Sequence, residues 1–327
     1  MKPKILVTRE VFDETLAFLS QHCEVESNQA DVAFAPSELA RRLADKDGVV
    51  CCLTDRIDAA LLAGCRGLKA VANVAVGYNN IDVAACTAHA VLATNTPGVL
   101  DDSTADFAWA LMLAAARRIA ELDARVRKGE WTSWMLKQWM GIDVHGATLG
   151  IVGMGRIGQA IAQRASGFDM KILYCNRRRL DPATEQRLGA RHVTKQELLS
   201  QSDFVVLQVP YSAETHHLIG AAELASMKPS AILINSGRGG VVDDAALVEA
   251  LKSGRLRGAG LDVYENEPKL HPGLVALPNV VLAPHVASST EATRARMAMT
   301  AAQSPGRSGP CRRCRASPRA RRCQSIA

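Results

Sequence analysis

The chain has 327 residues, 48% of them hydrophobic and 22% charged, the balance of an ordinary soluble protein long enough for two cores. It holds no apolar run of the ~18–20 residues a membrane span needs, and Met1–Glu10 lacks the apolar stretch of an export signal, so a cytoplasmic protein without a membrane partner is expected. The net charge of +6 comes from residues 304–327, which hold seven arginines and no acid; without them 32 basic residues face 33 acidic ones, leaving no electrostatic case for nucleic acid.

Short apolar runs alternate with amphipathic stretches, the pattern of parallel α/β units. Strands are predicted at Ile5–Thr8, Val49–Leu53, Ala70–Asn73 and Val91–Thr94, with helices between them. One helix is predicted to begin near Ser37, with a capping hydroxyl ahead of its first turn. The nine cysteines read as small hydrophobes of a reducing compartment. Cys311-Arg-Arg-Cys314 has half a zinc spacing, but with only Cys323 near it and no histidine, no metal site is expected.

After Thr96-Pro97-Gly98 a long helix is predicted from about Ser103 to Lys128-Gly129. Asp101, Asp102 and Asp106 at its start and Arg125, Arg127 and Lys128 at its end suit the helix dipole. The irregular stretch Trp131–Gly146 carries Trp131, Trp134 and Trp139, read either as surface-loop packing or as a subunit contact or lid. A second α/β series follows, with strands at Leu149–Val152, Ile172–Cys175, Phe204–Val209, Ala231–Asn235, Gly258–Val263 and Val280–Pro284. Six is the number of a complete dinucleotide-binding sheet. The fold class is therefore α/β, with two doubly wound parallel sheets.

The first strand of the second series runs into Gly153-Met-Gly155-Arg-Ile-Gly158 and then an alanine-rich helix. Gly153 permits the tight turn, Gly155 lets backbone approach a pyrophosphate, and Gly158 allows close helix packing. The second strand ends in Cys175-Asn176-Arg177-Arg178-Arg179, where an NAD enzyme usually carries an acid for the ribose 2′-hydroxyl. Read as a site, these guanidinium groups could pair with a 2′-phosphate, so NADP(H) is the expected cofactor and NAD(H) a possible one. Read blandly, they are a solvated basic turn.

Three further segments each follow a predicted strand: Asn235-Ser236-Gly-Arg238, Asp262-Val-Tyr-Glu-Asn-Glu267-Pro268 and Pro284-His285-Val-Ala-Ser288. Reduction of a 2-keto acid needs a clamp for the carboxylate, a polarised carbonyl and a proton for the developing alkoxide. A guanidinium supplies the first two, and an imidazolium oriented by a carboxylate supplies the third. Arg238, His285 and Glu267 fit those roles. Singly each has a dull explanation; together, at strand ends after a dinucleotide loop, they read as a catalytic set. The other histidines, His216 and His217 among them, are expected to be structural or exposed.

These motifs resemble the D-isomer-specific 2-hydroxyacid dehydrogenases, nearest their bacterial glyoxylate/hydroxypyruvate (2-ketogluconate) reductase branch, from about residue 3 to residue 303. The resemblance implies a substrate domain of residues 1–98 completed by about 291–303, and a dinucleotide domain of 99–290. It implies that Val76 and Gly77 offer N–H groups to the substrate carboxylate, with Arg238 and Ser288 also on the substrate. It places Thr104, Arg156, Ile157, Val209, Pro210, Thr215, Ser236 and Asp262 by the cofactor, Asp262 at the nicotinamide carboxamide. It also implies a homodimer held by the long helix and the segment after it, from which Trp139 would reach the partner's site.

Where such relatives return with a Leu-rich segment, residues 304–327 are rich in Pro, Arg, Ser and Cys. They are expected to form a disordered basic tail, as a frameshift in a GC-rich coding sequence would produce, at some cost to the substrate domain. A reductase of small 2-keto acids is the first expectation; a dinucleotide-sensing, corepressor-like binding protein on the same fold is the alternative.

Overall fold

The computed structural model describes residues 1–306; the basic tail beyond, with Cys311 and Cys314, lies outside the described residues. The chain divides into two compact units, one of Met1–Leu100 with the chain from Thr290, the other of Asp101–Ser289.

The first unit runs β1 (Lys4–Val7), α1 (Asp13–His22), β2 (Glu24–Ser27), α2 (Pro36–Leu43) and β3 (Gly48–Cys51). It continues through α3 (Ala59–Gly64), β4 (Ala70–Asn73), α4 (Val83–Ala88) and β5 (Leu92–Thr94). The strands form one parallel sheet in the order β2-β1-β3-β4-β5. Alternation assigns its two faces: Leu6 packs into one cluster, and Ile5 and Val7 into the other.

The second unit opens with α5 (Asp101–Arg117) and α6 (Ile119–Arg127), followed by β6 (Thr148–Val152), α7 (Arg156–Ala165) and β7 (Lys171–Cys175). Then come α8 (Pro182–Leu188), β8 (Ala190–His192), α9 (Lys195–Gln201), β9 (Phe204–Leu207), α10 (Ala221–Ser226) and β10 (Ile232–Asn235). The unit ends with α11 (Asp244–Lys252), β11 (Gly258–Leu261), α12 (Pro272–Val275) and β12 (Val280–Leu282). Its parallel sheet has the order β12-β11-β10-β9-β6-β7-β8, so the winding reverses between β6 and β9. All four residues of β9 are buried, Phe204 and Val206 against one face's cluster and Val205 and Leu207 against the other's. Both faces are thus covered, which is why these strands read as unbroken apolar runs. A last helix, α13 (Glu291–Gly306), returns to the first unit, burying Met297, Ala298, Ala301 and Ala302.

Four expectations need correction. Strands β2 and β8 escaped the sequence reading because both are short edge strands whose residues, Glu24–Ser27 and Ala190–His192, are largely polar. Ser37 does not cap α2: Pro36 takes the first helical turn and Ala35 is the cap residue, without a side-chain hydrogen bond. The long helix is two helices, broken at Arg118, whose φ of 56° is left-handed. There the N–H of Ile142 donates to Ala116 O at 3.0 Å, a carbonyl at the end of α5. Finally, α13 stays helical through Gly306, past the change of composition at Ser304.

Among the described cysteines, Cys51, Cys65 and Cys86 are buried, and Cys23, Cys52 and Cys175 are half-buried. Burial raises the Cys51 thiol well above its usual value and pushes Cys52 up to about 11, so both stay protonated.

Candidate active site

Strand β6 delivers the chain into Gly153, whose φ is 101° and whose added Cβ would lie 2.4 Å from Gln208 O. At Gly158 an added Cβ would lie 2.2 Å from Gly153 O, so helix α7 can approach the strand only with glycine there. Around Gly155, by contrast, nothing lies within 4 Å of a Cβ position. That is open space at the turn where a pyrophosphate is expected. No side chain caps α7, so its first N–H groups remain available to an anion. Arg156 pairs at 3.6 Å with Asp101, and Ile157 packs inward. These residues fit a dinucleotide.

The residues after β7 divide in two. Asn176 turns inward, its Oδ1 accepting from Met154 N at 3.0 Å and bracing the glycine loop. Arg177 pairs with Glu214 at 3.6 Å on the open surface, and among the described residues Arg178 makes no ion pair. Arg179 corrects the reading of three available guanidinium groups. Its Nε and Nη2 donate to Glu185 at 2.9 and 2.7 Å, and the Tyr174 hydroxyl donates to the same carboxylate. These bonds hold the Glu185 carboxyl at about 2. Arg179 therefore belongs to the protein and is not on offer to a ligand.

Among the other residues expected near the cofactor, Val209 lies against Gly153 and Gln208 Nε2 donates to Ser236 Oγ. Thr215 closes its own loop, donating to Pro210 O at 2.7 Å and accepting from Ser212 N at 2.8 Å. Thr104 is buried in α5. In the first unit, Asn95 Nδ2 donates to Val76 O and Asn73 Nδ2 to Gly77 O, both at 2.8 Å. The carbonyls are spent, while among the described residues no protein acceptor meets the N–H of Val76 or Gly77. Trp139 sits 5.9 Å from the Arg125 guanidinium, with a left-handed φ of 52°.

The three residues of the expected catalytic set follow the adjacent strands β10, β11 and β12. His285 Nδ1 lies 2.7 Å from Glu267 Oε2, and Oε1 of the same carboxylate accepts from Tyr264 N at 2.8 Å. Burial opposes ionisation of Glu267, but the hydrogen bond and charge of His285, the Tyr264 N–H and the charge of Arg238 outweigh it. The carboxyl is held below its usual value. Burial pulls Arg238 below its ordinary value while Glu267 pushes back, and a guanidinium stays charged at any working pH. Arg238 Nη1 donates to Gly237 O at 2.7 Å, fixing the head group.

Two features of this arrangement were not legible beforehand. Asp262 is fully buried, and its two oxygens accept from Val286 N and Ala287 N at 2.8 and 2.9 Å. It clamps the backbone just after His285, whose φ of 55° is left-handed and costs of order 1–3 kcal/mol. Ser288 is carried on the same clamped turn. The Tyr264 hydroxyl donates to Ala283 O at 2.8 Å and accepts from Ala283 N at 3.0 Å, tying the ends of β11 and β12 together. The available signal was an acid and a tyrosine set in an otherwise apolar strand end.

A family model described as D-isomer specific 2-hydroxyacid dehydrogenase, NAD binding domain, matches residues 109–287. A glyoxylate reductase of Thermococcus onnurineus is 50% identical over 302 residues, covering 91% of this chain and 90% of its own. A crystal structure of a glyoxylate reductase from Paecilomyes thermophila aligns with TM-score 0.84 at 33% identity, covering 92% of this chain and 94% of that one. The NADPH-dependent glyoxylate/hydroxypyruvate reductase of Sinorhizobium meliloti, solved with NADP and malonate, aligns with TM-score 0.82 at 33% identity over 92% of each chain. These relatives are reductases, and the corepressor-like alternative is not favoured.

Proposed function

The chain belongs to the D-isomer specific 2-hydroxyacid dehydrogenase family, and from that premise we propose that it reduces the carbonyl of a small 2-keto acid to the D-2-hydroxy acid. Glyoxylate, hydroxypyruvate and 2-ketogluconate are the candidate substrates. When bound, the reduced dinucleotide supplies the hydride that the carbonyl carbon accepts. The observation that carries the reading is the His285–Glu267 pair, 2.7 Å apart, beside a half-buried guanidinium at the carboxyl ends of three neighbouring strands.

Arg238 clamps the substrate carboxylate and polarises the carbonyl from a partly buried position, where its charge is less screened than in open water. With Nδ1 committed to Glu267, His285 acts through Nε2, giving its proton to the carbonyl oxygen as that atom becomes an alkoxide. The Glu267 carboxylate stabilises the imidazolium before transfer, and solvent reprotonates the ring afterwards. Asp262 and Tyr264 act as positioning residues, holding the two loops at the separation the proton transfer needs.

NADP(H) is the preferred cofactor in this reading. Exposed Arg177 and Arg178 stand where an acid would select NAD, and the ion pair of Arg177 with Glu214 is a surface pair worth about 0–1 kcal/mol, readily exchanged for a phosphate. The Sinorhizobium reductase solved with NADP supports the assignment.

The chain works as a homodimer. Helix α6 buries none of its residues, and Trp134 and Leu136 stand 76% and 79% exposed, an apolar surface that a second copy would cover. Trp139 belongs to the same segment and is the residue assigned to the partner's site. Leu136→Glu is expected to shift sedimentation from dimer to monomer.

The experiment for the whole reading is a panel of 2-keto acids assayed by NADPH and NADH oxidation. Turnover of at least one of the three candidates, faster with NADPH, is expected. Tight dinucleotide binding with no turnover of any keto acid would replace the enzyme with a sensor.

A further inference from the structure

One cluster of side chains, shared between the loop after β9 and the loop after β11, takes no part in the proposed chemistry. The loop after β9 bends at His217, whose φ of 48° is left-handed, a conformation that non-glycine residues adopt only when the surroundings impose it. In an extended chain successive side chains point to opposite faces. Here the rings of His216 and His217 stack instead, centroids 3.9 Å apart and planes at 24°. Glu265, from the loop after β11, brings Oε1 to 2.9 Å from His217 Nε2. One donor atom from each of these three residues lies within 4.8 Å of the others.

We infer that His216, His217 and Glu265 form a binding site for one transition-metal dication of the zinc, cobalt or nickel class, clipping the loop after β9 to the loop after β11. Two imidazoles and a carboxylate suit borderline metals, whereas calcium and magnesium take all-oxygen sets.

The outer nitrogen of each ring faces an oxygen of the protein. Tyr211 Oη lies 3.2 Å from His216 Nδ1, and Asp243 Oδ2 lies 3.9 Å from His217 Nδ1. Asp243 is itself fixed, since its Oδ1 caps α11 by accepting from Ala246 N at 3.0 Å. A proton on His216 Nδ1 would donate to Tyr211 Oη and leave that ring's Nε2 lone pair for a metal, whereas Asp243 lies beyond hydrogen-bond reach of the His217 ring.

Tetrahedral ligands about 2.0–2.1 Å from an ion stand about 3.3 Å from one another, and His217 Nε2 and Glu265 Oε1 are already close to that spacing. The metal takes the place of the Nε2 proton, which leaves to solvent.

The test uses the full chain after chelator treatment, with Zn²⁺ titrated by calorimetry and Co²⁺ followed by visible absorption. One site per chain is expected, weakened at least about tenfold by His217→Asn and by His216→Ala. Metal-free turnover of both variants is expected to stay within about twofold of the metal-free parent, and the cobalt spectrum to be that of nitrogen and oxygen ligands. His217→Asn keeps a residue type that tolerates positive φ. If it nevertheless fails to fold, His216→Ala, on an exposed ring, decides alone. Unchanged affinity in the folded variants, a thiolate charge-transfer band in the cobalt spectrum, or no Zn²⁺ uptake at micromolar metal would each overturn the inference.

Discussion

The turn after β7 and the loops after β11 and β12 both present charge at the carboxyl edge of one sheet, yet they hold it in opposite ways. At the β11 and β12 ends the carboxylates of the site have partners inside the protein: Glu267 has His285 and a backbone N–H, and Asp262 has two backbone N–H groups. At the β7 end Arg179 is spent on Glu185, but Arg177 and Arg178 face water. The difference teaches where preorganisation is worth its cost. A proton-transfer pair must hold its geometry within a fraction of an ångström, whereas a phosphate can be met by long side chains that gather on arrival.

Removing the acid breaks the ordered end most directly. His285→Gln is expected to lower kcat by about 10²–10⁴-fold while leaving the Kd for NADPH unchanged, read by single-turnover kinetics and fluorescence titration. A loss under tenfold would move the acid elsewhere.

A disturbance of the supporting backbone comes next. An added Cβ at Gly239 would fall 1.6 Å from Tyr264 O, so Gly239→Ala must push aside the segment that holds Glu267. A drop of about 10²-fold in kcat is expected, with KM little changed. Near-normal turnover would mean the β11 end is looser than its hydrogen bonds imply.

The exposed end responds to a smaller change, and selectively. Replacing Arg177 and Arg178 by alanine is expected to cut kcat/KM with NADPH by about 10–100-fold while sparing NADH, given the worth of hydrogen bonds to charged groups. Equal losses with both cofactors would assign the arginines a structural role.

The smallest effect concerns the spent arginine. The Glu185 carboxyl is held at about 2 against an ordinary 4.5, so the stability it adds is fully present above pH 4.5 and is lost as pH falls toward 2. The gap in denaturation midpoint between the parent and Glu185→Gln is therefore expected to be constant above that pH and to close below it. A gap that persists undiminished near pH 2 would detach Glu185 from Arg179.

The same contrast explains what the sequence made legible. Glu267 and His285 could be paired in advance because each lies in the loop that follows an apolar run, and parallel topology brings such loops to one edge. The glycine loop was legible because its three backbone demands fall at fixed spacing. Arg179 was misjudged because its partner Glu185 lies across a turn, a contact that no local pattern announces. The break at Arg118 was hidden for a related reason: neither glycine nor proline marks it, and the group that claims the Ala116 carbonyl comes from Ile142. Both missed strands sit at sheet edges, where a polar sequence suffices because one side faces solvent.

Because every strand of the second unit points the same way, the turns that feed the strands gather at the rim opposite the chemistry. Gly254 lies in one of them, ahead of β11, with a φ of 69° and nothing within 4 Å of where a Cβ would be. A fluorescent reporter or an affinity handle spliced there would leave the working rim untouched, giving engineers an attachment point independent of either chain end.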